Sequence, residues 1–387
     1  MNFLISTQDI VFPLSGGGSL RTLFLGKELV NRGHNVTLLV PGNINKYESM
    51  KVIRFKSFTE YNLPKILAGV LSATELFIKS FFYVIKTEVI IAIGPISLIP
   101  LSLWGKIFKK YIIASPTDIN SEYLLYNYRN SLLYPFIKIL NKIEIWFIRQ
   151  ANIIFAVSKA MKKYLEERNI CKPIFVNYDG YNPILNVSSK ETKKRKKEII
   201  IIHHGSIDKF EGSEEFISIL SNVLKKQRNV KVIITGLEKD IKNLKEDVKR
   251  SKIEEKIIFP GWVSLNKLKE LLIKADIGVV IKKDIPGNHL VTTLKIFDYW
   301  CSRTIPIVPE LKAIKEIASS KDVVYYRAGS FKDLEQKINK VVENISKFTN
   351  IKKRGLKKIH KFNFRKCIKD MVDIIESELK NELKNKR

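Results

Sequence analysis

Little in this sequence suits a scaffold of cross-links or metals. Its three cysteines, Cys171, Cys301 and Cys367, lie far apart in 387 residues with no CxxC or CxxH spacing. Neither a disulfide framework nor a zinc site is expected, and a reducing, cytoplasmic compartment fits. The five histidines, His34, His203, His204, His289 and His360, show no metal-ligand spacing, and no DxD-type metal motif is evident. The first residues carry no basic n-region and no small-residue cleavage site, so a secretory leader is not expected. Long apolar runs are missing too. The longest uncharged stretch, Val89 to Gly105, spans seventeen residues and is interrupted by Gly94, Pro95 and Pro100. A spanning helix needs about 20 unbroken apolar residues, so this run reads as a buried strand, a loop and a helix.

Negative charge is also scarce. Lys and Arg number 68 against 39 Asp and Glu, a formal charge of +29. Glutamine is nearly absent while lysine and isoleucine dominate, so part of this excess reflects codon bias. The rest calls for an anionic partner: nucleic acid, an anionic membrane surface or a phosphorylated substrate. With 45% apolar residues the chain is an ordinary folded protein, and its length fits two domains of about 150 to 200 residues each. Six basic residues between Val187 and Lys197 mark a linker. The domains are therefore expected over 1–183 and 198–346, with a basic linker over 184–197. Residues 347–387, with fourteen basic and five acidic residues, form a basic helical C-terminus.

The chain opens MNFLISTQDIVFPLSGGGSLRTLFLGKELVNRGHNVTLLVP. A short apolar run from Phe3 to Ser6 precedes three glycines, Gly16, Gly17 and Gly18. An apolar stripe then follows at near-helical spacing: Leu20, Leu23, Phe24, Leu29 and Val30. Gly33 stands where a helix C-cap is wanted, and Val36 to Val40 reads as a buried parallel strand. This is a βαβ unit. Its glycines let backbone approach a ligand closely, and the amides opening the helix at Ser19 to Arg21 suit an anion; a tight turn alone would explain the glycines equally well. The pattern is neither GxGxxG nor GxxxxGK[ST].

As a whole, however, this segment resembles the N-terminus of GT-B glycosyltransferases, above all the large retaining group called family 4. There a glycine-rich loop is followed by a helix ending in "RGHxV", here Arg32, Gly33, His34 and Val36. The run Ala151 to Ser158 resembles the family's "aDxiixvS" strand, and Gly180 to Pro183 stands where "NGvD" is usual. From Glu198 onward, strands alternate with helices, which means a second parallel, doubly wound sheet. In such folds ligands bind at the carboxyl ends of strands.

Further resemblances fall there. Gly205 to Gly212 resembles "GRLxxxKG", whose Arg and Lys grip the donor diphosphate, but here those positions are Ser206 and Glu211. Losing two cations removes charge-assisted bonds to the leaving group. Lys209 or Lys295 is expected to supply the charge, or the donor is held differently. Gly236 and the run Pro260 to Val263 match the glycine after the middle strand and the "fxGxv" stretch beside the base. Trp262 and Val263 are thus donor-side candidates, with an ordinary packed tryptophan the alternative. Leu290 to Pro306 resembles the E-x7-E region. Asp298 falls on the second acid, which in the family holds the ribose, and Thr292, Thr293 and Leu294 open a helix onto the phosphates beside Lys295. The first acid is missing, since Leu290 occupies its place; Asn288, His289 and Asp284 stand nearest as replacements. In the first domain Asp118 follows a strand where the family often places a His or Asp near the reacting sugar. It is the catalytic candidate, with capping of the next helix as the alternative.

The resemblance implies an α/β protein of two Rossmann-like, doubly wound parallel-sheet domains facing across a cleft. It implies a retaining, metal-independent transferase without a cofactor, moving a sugar from a UDP- or GDP-sugar to a hydroxyl acceptor. The basic surface, together with the wide apolar arc of a helix over Pro64 to Lys86, adds an expectation of a glycan or lipid-linked acceptor at the inner membrane face; core burial is the other reading of that helix. Two rivals remain open: a GT-B-like protein without activity, and a basic nucleic-acid-binding protein. No reader motif supports the second, so nucleic acid is not an expected partner.

Overall fold

The computed structural model describes residues 1–12, 14, 16–42, 44, 46–58, 65–185, 198–205, 207 and 211–385. Ser206, Lys209 and the linker residues 186–197 therefore lie outside the described residues. The chain divides into two compact units. Unit 1 comprises Met1–Asp179, Ile285–Thr292 and Arg365–Arg387; unit 2 comprises Gly180–Asp284 and Thr293–Phe364.

Unit 1 opens with β1 (Asn2–Thr7), α1 (Gly17–Asn31), β2 (Asn35–Val40), β3 (Lys46–Tyr47), β4 (Met50–Arg54), α2 (Lys65–Ile85) and β5 (Val89–Ile93). It continues with α3 (Pro95–Ile107), β6 (Tyr111–Ser115), α4 (Asn120–Asn127), α5 (Tyr134–Arg149), β7 (Ile153–Ala156), α6 (Lys159–Glu166) and β8 (Ile174–Val176). The strands form one sheet in the order β3-β4-β2-β1-β5-β6-β7-β8. Every pairing in it is parallel except that of the short β3 with β4. β5, VIIAI, is buried along its whole length, as a central strand covered on both faces must be. Leu76 and Val84 of α2, Leu98 and Leu101 of α3, and Ile145 and Ile148 of α5 pack with Leu4, Ile90, Ile112 and Ile154 of the sheet in one core. Gly33 does end α1: its φ is +81°, and the amides of Gly33 and His34 donate to Val30 and Leu29.

Unit 2 contains β9 (Ile199–His203), α7 (Ser213–Lys226), β10 (Val230–Thr235), α8 (Glu238–Arg250), β11 (Ile257–Gly261), α9 (Leu265–Lys274) and β12 (Ile277–Val279). The chain then contributes α10 (Pro286–Leu290) to unit 1 before returning with α11 (Leu294–Cys301), β13 (Ile305–Pro309), α12 (Lys312–Ile317), β14 (Val324–Tyr326), α13 (Phe331–Glu343) and α14 (Thr349–Ile359). The all-parallel order β11-β10-β9-β12-β13-β14 has its turning point between β9 and β12. Both domains are thus doubly wound parallel sheets.

The last helix, α15 (Phe364–Asn385), belongs to unit 1 from Arg365 onward, where Arg32, the C-cap residue of α1, meets Asp373 at 2.6 Å and Glu376 at 3.1 Å. α14 stays in unit 2, its Gly355 so close to Trp300 that a Cβ would collide with the indole. The basic C-terminal region 347–387 is therefore shared: its first helix serves unit 2 and its last serves unit 1.

Candidate functional site

In a doubly wound sheet a ligand is expected at the carboxyl ends of the strands beside the turning point, which in unit 2 are those of β9 and β12. β9 ends on His203, whose Nδ1 lies 2.9 Å from the Val279 carbonyl of β12. His204 and Gly205 follow. Gly205 has φ +83°, and a Cβ there would sit 3.6 Å from Cε and 3.8 Å from Nζ of Lys295. A lysine ammonium therefore lies beside the backbone at the strand end, and the positive φ there favours glycine. Gly236, at the end of β10, approaches the same turn: a Cβ on it would come 3.1 Å from the Gly205 carbonyl.

Three buried ionisable groups surround Lys295. Burial pushes Asp298 of α11 up to about 7, against the pull of Lys295. Burial, then Lys295 and His203, hold His204 well below its ordinary range. The two side chains face each other at 3.6 Å between Nε2 and Oδ2, too far for a hydrogen bond, and Nε2 of His204 has no hydrogen-bond partner among the described residues. Glu211 behaves oppositely. Burial alone would raise it, yet Lys282, Lys295 and His203 outweigh burial and hold it at about 2. Its Oε1 is 2.8 Å from Nζ of Lys282, which stands just beyond β12. Sequence reasoning missed Lys282. The signal was an acid where a cation was wanted: a buried Glu211 requires a cation nearby, and the strand end opposite β9 is where one can reach it.

Unit 1 has a matching loop after β1, and there the structure places an internal anion. The amides of Gly18 and Ser19 donate to the carboxylate of Asp9, and a Cβ on Gly18 would collide with that carboxylate. Burial nevertheless raises the Asp9 pKa, the two amides only partly offsetting it. Gly16 closes the turn by donating from its amide to Ser19 Oγ at 2.9 Å. The expected guest of this helix start was an external anion; Asp9 holds two of its amides. Its spacing of nine residues from Gly18 gave no sign of this.

Other candidates fall as follows. Asp118, after β6, is half-buried and accepts a hydrogen bond from Tyr123 at 3.2 Å. The amides of Asn120 and Ser121 at the start of α4 donate to the carboxylate of Glu144 on α5, at 3.1 and 2.9 Å. Trp262 is 48% exposed at the end of β11, so it is not an ordinary packed tryptophan, and Val263 is half-buried beside it. Thr293 is the N-cap residue of α11 and Leu294 its first residue. Thr292 closes the segment that belongs to unit 1, and its Oγ1 is buried without a hydrogen-bond partner among the described residues. Leu290, in the place of the family's first acid, is buried in the unit 1 core, and its carbonyl accepts from Ser158 Oγ at 2.5 Å. Its side chain anchors α10. Of the replacements, Asn288 is buried and belongs with unit 1, whereas Asp284 is exposed in unit 2.

The model of Glycosyltransferase Family 4 matches residues 15–183, and that of Glycosyl transferases group 1 matches 186–358. The chain is 28% identical over 222 residues to a chitobiosyldiphosphodolichol beta-mannosyltransferase of Candida albicans, a match covering 52% of this chain and 48% of the relative. It thus spans about half the length of that curated protein. Among solved structures, sucrose-phosphate synthase of Thermosynechococcus elongatus superposes with a TM-score of 0.81 at 12% identity, covering 98% of this chain and 100% of the other. Anabaena HepE in complex with UDP-glucose gives 0.73 at 15% identity, covering 97% and 100%. At such identities the likeness is one of fold.

Proposed function

We propose, from the premise that this chain belongs to the GT-B glycosyltransferases, that it moves a sugar from a nucleoside diphospho-sugar to a hydroxyl on a lipid-linked or surface glycan. The observation that carries the donor half is the cluster of charged groups at the carboxyl ends of β9 and β12. It gathers Lys295 against the bare backbone of Gly205, with Lys282 on Glu211 and a buried Asp298 alongside. That HepE is solved with UDP-glucose supports a UDP-sugar. The Candida albicans relative, named for a dolichol-linked glycan, supports a lipid-linked acceptor at a membrane face.

In the reaction the C1–O bond to the diphosphate breaks and a bond from C1 to the acceptor oxygen forms. The products are the glycoside, a nucleoside diphosphate and a proton. Lys295 and the Gly205 backbone stabilise the negative charge that develops on the leaving diphosphate, in place of the Arg and Lys that Ser206 and Glu211 replace. Lys282 adds positive charge, already partly neutralised by Glu211. These cations take the role a metal would otherwise fill, so the transfer is metal-independent in this reading, with retention of anomeric configuration as in the group it resembles. Asp298, near neutral pH half protonated, is placed to hold a ribose hydroxyl, and the exposed Trp262 offers a face to the base. In unit 1 Asp118 is assigned to the reacting hydroxyl.

Thermal-shift titration with UDP-, GDP- and ADP-sugars tests the donor reading. A donor at 100 times its Kd raises stability by about 2.7 kcal/mol. No shift with any of them, together with no transfer or hydrolysis, would leave a GT-B fold without a donor site.

A further inference from the structure

In unit 1 the helices α2, α3 and α5 form one layer over the sheet, and their outer side is not polar. Trp104 of α3 stacks on Phe77 of α2 at 4.3 Å between ring centroids, and donates to the Phe77 carbonyl at 2.8 Å. α2 is long and apolar enough to cross a membrane over Ile66–Ile85. Yet Ala68, Leu76, Ser80 and Val84 are buried within the unit, which fixes α2 as a surface helix of the domain. Its other side leaves Val70, Ile78 and Phe82 exposed, Phe82 at 67%.

α5 repeats the arrangement more sharply. Phe136, Ile139, Ile143 and Trp146 recur at intervals of three, four and three, and all are exposed. They form a single stripe opposite the buried Ile137, Ile145 and Ile148. Leu132 and Leu133 extend the stripe beyond the N-terminus, Leu132 fully exposed. Large contiguous apolar patches on a soluble domain mark an interaction surface.

Charge identifies the partner. Lys138, Lys142 and Arg149, four and seven residues apart, make one ridge along the stripe, and all are exposed. The one acid of α5, Glu144, is turned inward to cap α4. Every charge that α5 presents to solvent is therefore positive. A second copy of this surface would bring like charges together, whereas an apolar stripe with a basic border matches the headgroup and acyl boundary of an anionic bilayer.

We propose that the exposed faces of α5 and α2 form a docking surface for an anionic lipid bilayer, with Phe136, Ile139, Ile143 and Trp146 seated among acyl chains and Lys138 and Lys142 at the headgroups. The surface extends the membrane-linked acceptor proposed above, but it does not depend on the donor site. Failure of every nucleotide-sugar to bind would leave it standing, and loss of vesicle binding would leave donor shifts intact.

The test is co-sedimentation of the full chain with phosphatidylcholine vesicles, with and without phosphatidylglycerol, without nucleotide. Binding is expected to be stronger on the anionic vesicles and to fall with salt. Near an anionic surface a lysine contributes about a five-fold change in partitioning, so Lys138→Gln with Lys142→Gln lowers it about 25-fold. Phe136→Ser with Trp146→Ser weakens binding to both vesicle types; these are exposed positions, and an unchanged melting temperature confirms the fold. Equal partitioning onto neutral and anionic vesicles would overturn the proposal. So would parental binding by the lysine pair, or a concentration-dependent dimer that Phe136→Ser dissolves while no vesicle is bound; that last result would assign the face to a second copy.

Discussion

The loop after β1 in unit 1 and the loop after β9 in unit 2 stand at the same place in two doubly wound sheets, and each brings a buried carboxylate to a glycine-led helix. Their electrostatics diverge. Among the described residues the carboxylate of Asp9 accepts from the amides of Gly18 and Ser19, and burial raises its pKa. Glu211 meets Lys282, with Lys295 and His203 beyond, and is held at about 2. A helix start offers about half an elementary charge. That does not offset the desolvation of one carboxylate in unit 1, while in unit 2 the ammonium groups of Lys282 and Lys295 outweigh it. The difference teaches where an external anion belongs: the glycine loop of unit 1 already holds an internal one, whereas unit 2 sets two lysines, Lys282 and Lys295, around a single strongly ionised carboxylate.

The largest test of that contrast is Lys295→Met. If the Lys295 ammonium stabilises the leaving diphosphate, its loss lowers kcat by about 100- to 1000-fold, roughly 3–4 kcal/mol. Steady-state kinetics with the donor found by thermal shift would read it. A kcat within three-fold or so of the parent would mean that the phosphates lie elsewhere.

Glu211→Gln comes next. The carboxylate falls from an ordinary 4.5 to about 2 on folding, a difference of order 3 kcal/mol at about 1.4 kcal/mol per pH unit. Because the folded value is depressed, this stability is fully present above pH 4.5 and is lost as pH falls from there through 2. The variant should be less stable than the parent at neutral pH by about this amount and no less stable near pH 2. Denaturant midpoints across pH 2 to 7 would show the two curves converging at the acid end. Parallel curves would mean that the Lys282 pair contributes nothing.

Asp298→Asn has the opposite sign. Its folded pKa, about 7 against an ordinary 3.8, means that ionisation opposes folding. The penalty appears above pH 3.8, grows with pH and is complete above 7. Asparagine keeps the shape without the ionisation penalty, in which the attraction of Lys295 is already included, so the gain for the donor-free protein is about 4 kcal/mol at pH 8 and near zero at pH 4. Donor affinity should fall in the same variant, as expected of a site that sacrifices stability for binding.

Much of this fold was legible because parallel strands are uninterrupted apolar runs: VIIAI at Val89–Ile93 and IIIIH at Ile199–His203 can be little else. Gly33 marked a helix end from its spacing, and Gly205 stood out through the resemblance of its segment to the family's glycine-led turn. What stayed hidden depends on partners distant in sequence. α10 is five residues long, and nothing local says that Leu290 is buried in unit 1 while Asp284, six residues earlier, belongs to unit 2. Glu211 read as a lost cation because its partner Lys282 is 71 residues away, on another strand end. Asp9 gave no signal, since a carboxylate that holds a helix start from nine residues back leaves no periodic trace.

Asp9 also supplies the smallest effect and the closest check on the comparison. If its carboxylate is a structural stand-in for an external anion, then Asp9→Asn keeps an acceptor for the amides of Gly18 and Ser19 while removing a charge that burial disfavours. A raised carboxyl favours folding most when protonated and least above its folded pKa, so the parent should lose stability as pH rises, and the variant should not. At neutral pH the variant should equal or slightly exceed the parent. Asp9→Ala, which removes the cap altogether, should cost about 1 kcal/mol. Neither should move the donor Kd by more than about two-fold, since the donor phosphates are placed in unit 2. Should Asp9→Ala instead strengthen donor binding several-fold, the seat at α1 is one the donor competes for, and the two loops are more alike than their electrostatics suggest.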